Sequence, residues 1–137
     1  MISGQQITWG SWSALDVATG KILWQIADPA VGTIDTGSVS VANGVMYAGS
    51  YSGQMYALDA KNGQILWNFA SGGSVIDGPS IVDGTLYWGS GYRNIPPGIG
   101  NNKVYAFALT MPGEKDSGKQ SNSDHGGNHA GDHGGQK

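Results

Sequence analysis

The chain has 137 residues, of which 24 are glycine, five tryptophan and six tyrosine, while only 12% are charged. Glycine-rich turns between aromatic and β-branched runs are typical of an all-β protein with many tight connections. The net charge of −3 offers no basic surface to nucleic acid or an anionic membrane, and no apolar run is long enough to span a bilayer. The absence of cysteine excludes disulfides, thiolate metal ligands and covalent haem attachment in this chain.

Two segments of the chain are repeated. The eleven residues from Ala14 to Trp24, ALDVATGKILW, return 43 positions later from Ala57 to Trp67 as ALDAKNGQILW. The segment SVANGVMYAGS, which begins at Ser40, returns 40 positions later as SIVDGTLYWGS. Self-similarity at about forty residues, carried by short strand-like runs, predicts propeller blades or another stacked β array.

Each repeat predicts four antiparallel strands, named A to D from the central channel outwards. In chain order, residues 7–14 match the end of a B strand running into C, and D follows at 22–26. One complete blade covers about residues 36–70. The last repeat supplies A at 80–82, B at 85–88 and C at 103–108. Asn43-Gly44 and Asp83-Gly84 predict tight A–B hairpin turns.

The last repeat has no recognisable D strand, since Ala108 replaces the expected Asp and the following residues leave the pattern. About two to two and a half blades cannot close a ring, and natural propellers use about four to eight. Residues 1–110 are therefore expected to form a partial β-propeller. We expect the C-terminal end of a larger ring, or a truncated reading frame, with the missing D strand encoded far upstream. The first six residues lack the features of a signal peptide, so any export signal is also expected upstream.

Residues 111–137 form a Gly/His-rich tail that contains no large apolar residue beyond Met111. Such a segment cannot bury enough apolar surface to order itself, and we expect it to be disordered. The tail carries all three histidines, at His125, His129 and His133. Neutral imidazoles bind Zn, Cu or Ni, so these three are candidate metal ligands, and a purely solubilising tail is the alternative.

The repeated pattern Ala-x-Asp-x-x-x-Gly-x-x-x-Trp resembles the tryptophan-docking motif of the quinoprotein, or PQQ-type, β-propellers. The first copy matches it at Ala14, Asp16, Gly20 and Trp24, and the second at Ala57, Asp59, Gly63 and Trp67. The resemblance implies structural roles. The Asp accepts backbone hydrogen bonds in the C–D turn, the Gly supplies a positive φ, and the Trp packs between adjacent blades.

The amino-acid sequence of the last blades, for example FASGGSV and YWGSGY, is similar to that of the C-terminal blades of polyvinyl-alcohol dehydrogenase-like quinoproteins. That resemblance implies alcohol oxidation by PQQ in a periplasmic or extracellular parent protein, with cytochrome c as a possible electron acceptor. In such enzymes Glu, Asn and Asp side chains hold PQQ with a calcium ion. The only glutamate here is Glu114, in the tail, so most ligands are expected elsewhere and the chain alone is expected to be inactive.

Four residues near the predicted channel mouth are candidate cofactor contacts. Asp35 and Asp77 each precede an A strand, and Arg93 lies in a long B–C insertion where it could pair with a cofactor carboxylate. Trp88 could stack on a planar cofactor. The alternatives are turn-capping aspartates, a solvated loop arginine and an inter-blade core tryptophan.

Two other functions remain open on the sequence alone. The docking motif also occurs in propellers without quinone, such as the outer-membrane assembly lipoprotein, which is a scaffold. Alternatively, several copies of this chain could assemble into a ring, in which the other copies take the place of the rest of the propeller.

Overall fold

The computed structural model describes residues 6–108, and the expected tail with His125, His129 and His133 lies outside this range. The described part contains nine strands in three antiparallel sheets of two, four and three strands. The strands are β1 (Ser11–Leu15), β2 (Ile22–Ala27), β3 (Val39–Ala42), β4 (Val45–Gly49), β5 (Gln54–Asp59), β6 (Ile65–Ala70), β7 (Ser80–Val82), β8 (Thr85–Ser90) and β9 (Lys103–Ala108). Within residues 6–108 no helix is long and apolar enough to cross a bilayer.

The strand order confirms the predicted all-β partial propeller. The first sheet, β1-β2, supplies strands C and D, and the second, β3-β4-β5-β6, is a complete four-stranded blade. The third sheet, β7-β8-β9, supplies A, B and C. We call these the first, middle and last blades. The final strand of the middle blade begins at Ile65, directly after Gln64, whose backbone N–H donates to the Asn62 side chain at 2.8 Å.

Both predicted A–B hairpins have the expected tight turn. Asn43 and Gly44 have φ of 50° and 76°, and Asp83 and Gly84 have φ of 46° and 75°. Two successive positive φ angles define the type I′ turn, whose twist matches that of the flanking strands. The turns therefore fix the A–B register, in which Ser40 pairs with Tyr47 and Ser80 with Tyr87.

The apolar core lies between blades, not within them. One cluster, between the first and middle blades, consists of Trp12, Met46, Ala48, Tyr56 and Leu58. The other, between the middle and last blades, consists of Met55, Val75 and Trp88, flanked by aromatic residues that include Phe69 and Phe107. A four-stranded blade thus buries its faces only against its neighbours, which is the physical basis of the stack.

Candidate functional site

The D–A and B–C connections meet at one end of the blades, the face expected to form the channel mouth. Residues 28–38 and 71–79 connect D to A, while 50–53 and 91–102 connect B to C. Backbone hydrogen bonds join the two kinds of connection. The Tyr51 N–H donates to the Ile34 carbonyl at 3.3 Å, and the Ser74 N–H donates to the Ile99 carbonyl at 2.8 Å. Side chains on these loops are therefore the ones that could act together on a ligand.

The long insertion at 91–102 is fixed to this face by a buried serine. The Ser74 hydroxyl, which is fully buried, donates to the Tyr51 carbonyl at 2.7 Å and accepts from the Ile99 N–H at 3.0 Å. The Tyr51 hydroxyl donates to the Ile95 carbonyl. A shallow groove of about 440 Å³ lies beside the insertion, lined by residues 30–34 and by Tyr51, Ser52, Pro96, Pro97 and Ile99. The insertion therefore has a defined position over the neighbouring loop.

Asp35 lies between the first and middle blades, packed directly against the backbone of Gly10. Both of its carboxylate oxygens are buried and have no hydrogen-bond partner. Burial and the neighbouring Asp28 carboxylate raise the pKa of Asp35 from its ordinary 3.8 to about 8. This aspartate is thus part of an acidic pair at a blade interface.

Asp28 is the residue that sequence reasoning missed. It directly follows β2, is 1% exposed, and has one unpartnered carboxylate oxygen, Oδ2. Its other oxygen accepts from the Ala30 N–H at 2.7 Å and from the Tyr56 hydroxyl at 3.5 Å. One sequence signal was available: the equivalent position of the next repeat holds the neutral Ser71, so the charge here departs from the repeat.

Asp77 and Trp88 lie at the next interface, between the middle and last blades. The Trp88 side chain is 0% exposed and packs with Met55 and Val75. Its indole N–H donates to the backbone carbonyl of Asp77 at 2.7 Å. The Asp77 carboxylate lies over Gly89, and partial burial raises its pKa above the ordinary value. In this structure Trp88 occupies a core position between blades.

Arg93 lies in the insertion and is exposed. Its aliphatic stem lies over Gly100, on the other arm of the same loop. The structure therefore does not bring the four candidate cofactor contacts into one cluster. Asp35 is at one blade interface, Asp77 and Trp88 are at the other, and Arg93 is on the loop surface. Within residues 6–108, no three His, Cys, Asp or Glu side chains lie together as metal ligands.

The two copies of the docking motif form matching C–D turns. Asp16 Oδ1 accepts from the Thr19 N–H at 2.8 Å and from the Thr19 hydroxyl at 2.6 Å, and these bonds lower the pKa of Asp16. Asp59 Oδ1 accepts from the Lys61 N–H at 2.7 Å. Gly20 and Gly63 have φ of 69° and 76°. Each C–D pair also shows a register shift just after the motif alanine, Ala14 or Ala57, which pairs with the motif tryptophan.

The two tryptophans have different surroundings. The Trp24 indole N–H donates to the Ala60 carbonyl of the middle blade at 3.0 Å. Trp67 remains 38% exposed, stacks beside Phe69 with the ring planes 8° apart, and meets the edge of Phe107 at 5.1 Å. The first tryptophan thus bridges two blades through a hydrogen bond, whereas the second lies at a partly open surface.

Comparison with protein families gives one match that covers most of the chain. The model for PQQ-type repeats, described as "Outer membrane protein assembly factor BamB", matches residues 10–110.

Individual relatives point to quinone-dependent dehydrogenases. The dehydrogenase subunit of alcohol dehydrogenase (quinone) from Gluconobacter oxydans is 44% identical over 69 residues, which is 44% of this chain and 9% of the relative. The polyvinylalcohol dehydrogenase of Sphingopyxis sp. is 31% identical over 109 residues, covering 61% of this chain and 16% of the relative. The chain therefore spans less than a fifth of either relative's length.

The solved structure of quinohemoprotein alcohol dehydrogenase from Comamonas testosteroni shares the fold. Its TM-score is 0.54 at 22% identity, over 61% of this chain and 14% of that one. The matched part of this chain thus corresponds to a small part of a much longer chain.

Proposed function

Because this chain belongs to the family of PQQ-type β-propeller repeats, we propose that it forms the last blades of a PQQ-dependent alcohol dehydrogenase-like protein of the polyvinyl-alcohol dehydrogenase type. The proposed reaction of the parent is oxidation of an alcohol, with electrons passed to a cytochrome. The similarity to the alcohol dehydrogenase (quinone) subunit and to the polyvinylalcohol dehydrogenase supports an alcohol as the substrate class. The proposed location of the parent is the periplasm or the cell exterior.

The incomplete outer sheets are the observation that carries the proposal. The described residues contain only two strands of the first blade and three of the last. Apolar side chains are left open on both, with Leu23 of β2 66% exposed and Val104 of β9 76% exposed. Exposed apolar surface of this kind marks an interaction surface or an aggregation hazard. Further blades of one longer ring would cover both sheets.

A cavity beside Trp67 supports a ring closed by another strand. It has a volume of about 370 Å³ and is lined by residues of the middle and last blades, Ala42, Asn43, Tyr47, Ala57, Trp67, Ile81, Gly84, Leu86, Phe107 and Ala108. In the described residues β9 is paired on one side only, with β8. A D strand added along β9 would bring its C–D turn towards Trp67. The docking contact made by Trp24 at the previous interface would then be repeated.

The residues present do not by themselves fit a PQQ and calcium site. Asp35 lies at one blade interface and Trp88 at the other, where core side chains enclose it, and no trio of metal-ligating side chains occurs within residues 6–108. We therefore derive no catalytic step from this chain. Its proposed contribution to the parent enzyme is the wall of the channel mouth formed by the D–A and B–C connections.

The test starts from the source cells. An antibody raised against the tail isolates the native protein, which is then assayed for dye-linked alcohol oxidation with added PQQ and calcium. Cofactor-dependent turnover by the isolated protein, and none by the recombinant 137-residue chain, is the expected result. Turnover by the short chain alone, or an isolated native protein that is inactive with every alcohol including polyvinyl alcohol, would argue against the proposal.

The family description favours one second candidate, a non-catalytic scaffold in outer-membrane protein assembly. The contacts of the docking motif are structural and require no quinone. Recovery of outer-membrane assembly components with the tail antibody, from cells in which the isolated protein shows no alcohol oxidation, would favour the scaffold over the enzyme.

A further inference from the structure

Asp28 and Asp35, which form an acidic pair between the first and middle blades, both lie at Gly10: the Asp28 N–H donates to the Gly10 carbonyl at 2.9 Å, and the Asp35 carboxylate packs against the Gly10 backbone. Asp28 is 1% exposed, and its Oδ2 has no hydrogen-bond partner. Both oxygens of Asp35 are likewise buried and unpartnered. The one remaining oxygen, Asp28 Oδ1, is bonded to the Ala30 N–H and the Tyr56 hydroxyl. Three carboxylate oxygens of the pair are thus buried without a hydrogen-bond donor, which is costly unless something compensates them.

The equivalent positions at the next interface are not acidic. The Asp28 N–H donates to the Gly10 carbonyl just as the Ser71 N–H donates to the Gly53 carbonyl, each at 2.9 Å. Ser71 is neutral, and its hydroxyl lies within hydrogen-bond distance of the Gly53 and Gly73 carbonyls, at 2.9 and 2.8 Å. The pair is therefore peculiar to one interface, and the blade fold does not require it.

The second member of the pair, Asp35, has an apolar counterpart at the next interface. Counted back from the serines Ser40 and Ser80, which pair with Tyr47 and Tyr87, Asp35 occupies the position of Val75. Val75 is 1% exposed and packs against Gly49, so this position in the blade does not require a polar side chain. Two carboxylates thus replace a serine and a valine at equivalent positions.

The number of unpartnered oxygens discriminates between a shared proton and a bound cation. One proton shared by two carboxyl groups satisfies two oxygens, as donor and acceptor, and leaves at least one of the three unpartnered. A cation with several coordination positions satisfies all three at once. We propose that Asp28 and Asp35 bind a hard, oxygen-preferring cation of the Ca²⁺ type between the first and middle blades.

Two carboxylates supply up to four of the six to eight or so oxygen ligands that Ca²⁺ takes, and water and backbone carbonyls commonly supply the others. Binding would join the end of β2, through Asp28, to the start of the middle blade, through Asp35. The cation would thereby stabilise the packing of one blade on the next. A ligand that binds only the folded state also raises the unfolding midpoint by mass action.

Two tryptophans near the pair provide a direct readout. The Trp9 indole N–H donates to the Asp28 carbonyl at 3.0 Å, and Trp12 contacts Tyr56 with ring centroids 5.2 Å apart. Terbium, a Ca²⁺ substitute that these rings can sensitise, is added to the chelator-treated 137-residue chain. We expect tryptophan-sensitised terbium emission that added Ca²⁺ displaces, together with a thermal midpoint that rises with Ca²⁺ concentration.

The matched variants are Asp35→Asn and Asp83→Asn. Both remove one negative charge with little change of shape, and the equivalent hairpin already has Asn43 at the position of Asp83. Asp35→Asn is expected to weaken Ca²⁺ binding by at least about tenfold, since affinity depends on the charge of the ligands. It should nevertheless fold, because the amide has nearly the same shape as the carboxyl group. Asp83→Asn is expected to bind as the wild type does.

Two results would overturn the proposal. One is a wild-type chain whose thermal midpoint and terbium emission do not respond to Ca²⁺, which would leave a shared proton as the compensation. The other is equal Ca²⁺ binding by the wild type and Asp35→Asn, which would place the cation elsewhere, for instance on the acidic residues of the tail.

Discussion

Trp24, at the end of the first blade, lies directly on Gly63, in the C–D turn of the middle blade. A Cβ atom placed on Gly63 would lie 2.6 Å from Trp24 Cε3, well inside van der Waals contact. The same indole donates its N–H to the Ala60 carbonyl three residues earlier in that turn. The repeat motif thus acts across an interface, where the tryptophan of one copy requires the glycine of the next.

Gly63→Ala should destabilise the chain more than Gly20→Ala, although both occupy the same motif position. Both glycines have a positive φ, which costs an L-residue about 1–2 kcal/mol. Gly20 has open space around it, whereas Gly63 also faces the Trp24 ring, and such overpacking adds about 1–3 kcal/mol. Urea unfolding of both variants measures the difference, and equal losses would show that the contact with Trp24 contributes nothing.

Trp24→Phe should be more costly than Trp67→Phe. The first change removes the hydrogen bond to Ala60 and part of a packed ring, for a loss of about 2–3 kcal/mol. Trp67 is 38% exposed, so its replacement should cost less than about 1 kcal/mol. Denaturant midpoints compare the two, and a larger loss for Trp67→Phe would mean that the exposed tryptophan is already docked in the isolated chain.

Ser74→Ala should release the insertion at 91–102. The serine hydroxyl holds both the Tyr51 carbonyl and the Ile99 N–H, and removing it leaves buried backbone groups unpaired at about 1–3 kcal/mol. We expect faster tryptic cleavage after Arg93, the only arginine of the chain.

The control for this loop is Ser52→Ala, at an exposed serine on the neighbouring connection. It should leave the cleavage rate close to that of the wild type. An unchanged rate in Ser74→Ala would show that other contacts fix the insertion.

Without calcium, the acidic pair should make stability depend on pH. The pKa of Asp35 is raised to about 8 in the folded chain by burial and by Asp28, while its ordinary value of 3.8 applies when unfolded. Protonation therefore favours the folded state, fully below about pH 4, and this contribution is lost as the pH rises to about 8. Burial also raises the pKa of Tyr56, which stays neutral over this window.

Urea midpoints measured with a chelator from pH 4 to pH 9 test this dependence. Asp35→Asn, which carries no titrating group at that position, should lose most of the decline between pH 4 and pH 8. A wild-type midpoint that does not fall as the pH rises would contradict the assigned environment of Asp35.

The sequence was sufficient to predict most strands, because tight turns and the alternation of apolar and polar residues are local properties. Asn43-Gly44 and Asp83-Gly84 select the same turn wherever they occur between extended runs. The incomplete outer blades also followed from the repeat, since the missing segments can be counted against the complete copy. These features depend on neighbours within about ten residues of each other.

The acidic pair could not be predicted in this way. Asp28 and Asp35 are separated by a loop, and their burial depends on how the first blade packs on the middle one, with Tyr56 contributed by β5. For Trp88 the sequence left two environments open, a cofactor contact and an inter-blade core position, and the packing of the blades places it with Met55 and Val75. Contacts between blades depend on the stacking geometry, which strand periodicity does not encode.

The mass of the native polypeptide tests the central claim most directly. An immunoblot of the source cells with the tail antibody measures it under denaturing conditions. The account predicts a band several times larger than the 14.2 kDa of this chain, because the outer blades need further strands to cover them. A single band near 14.2 kDa would contradict it and would favour copies of this chain assembling with one another.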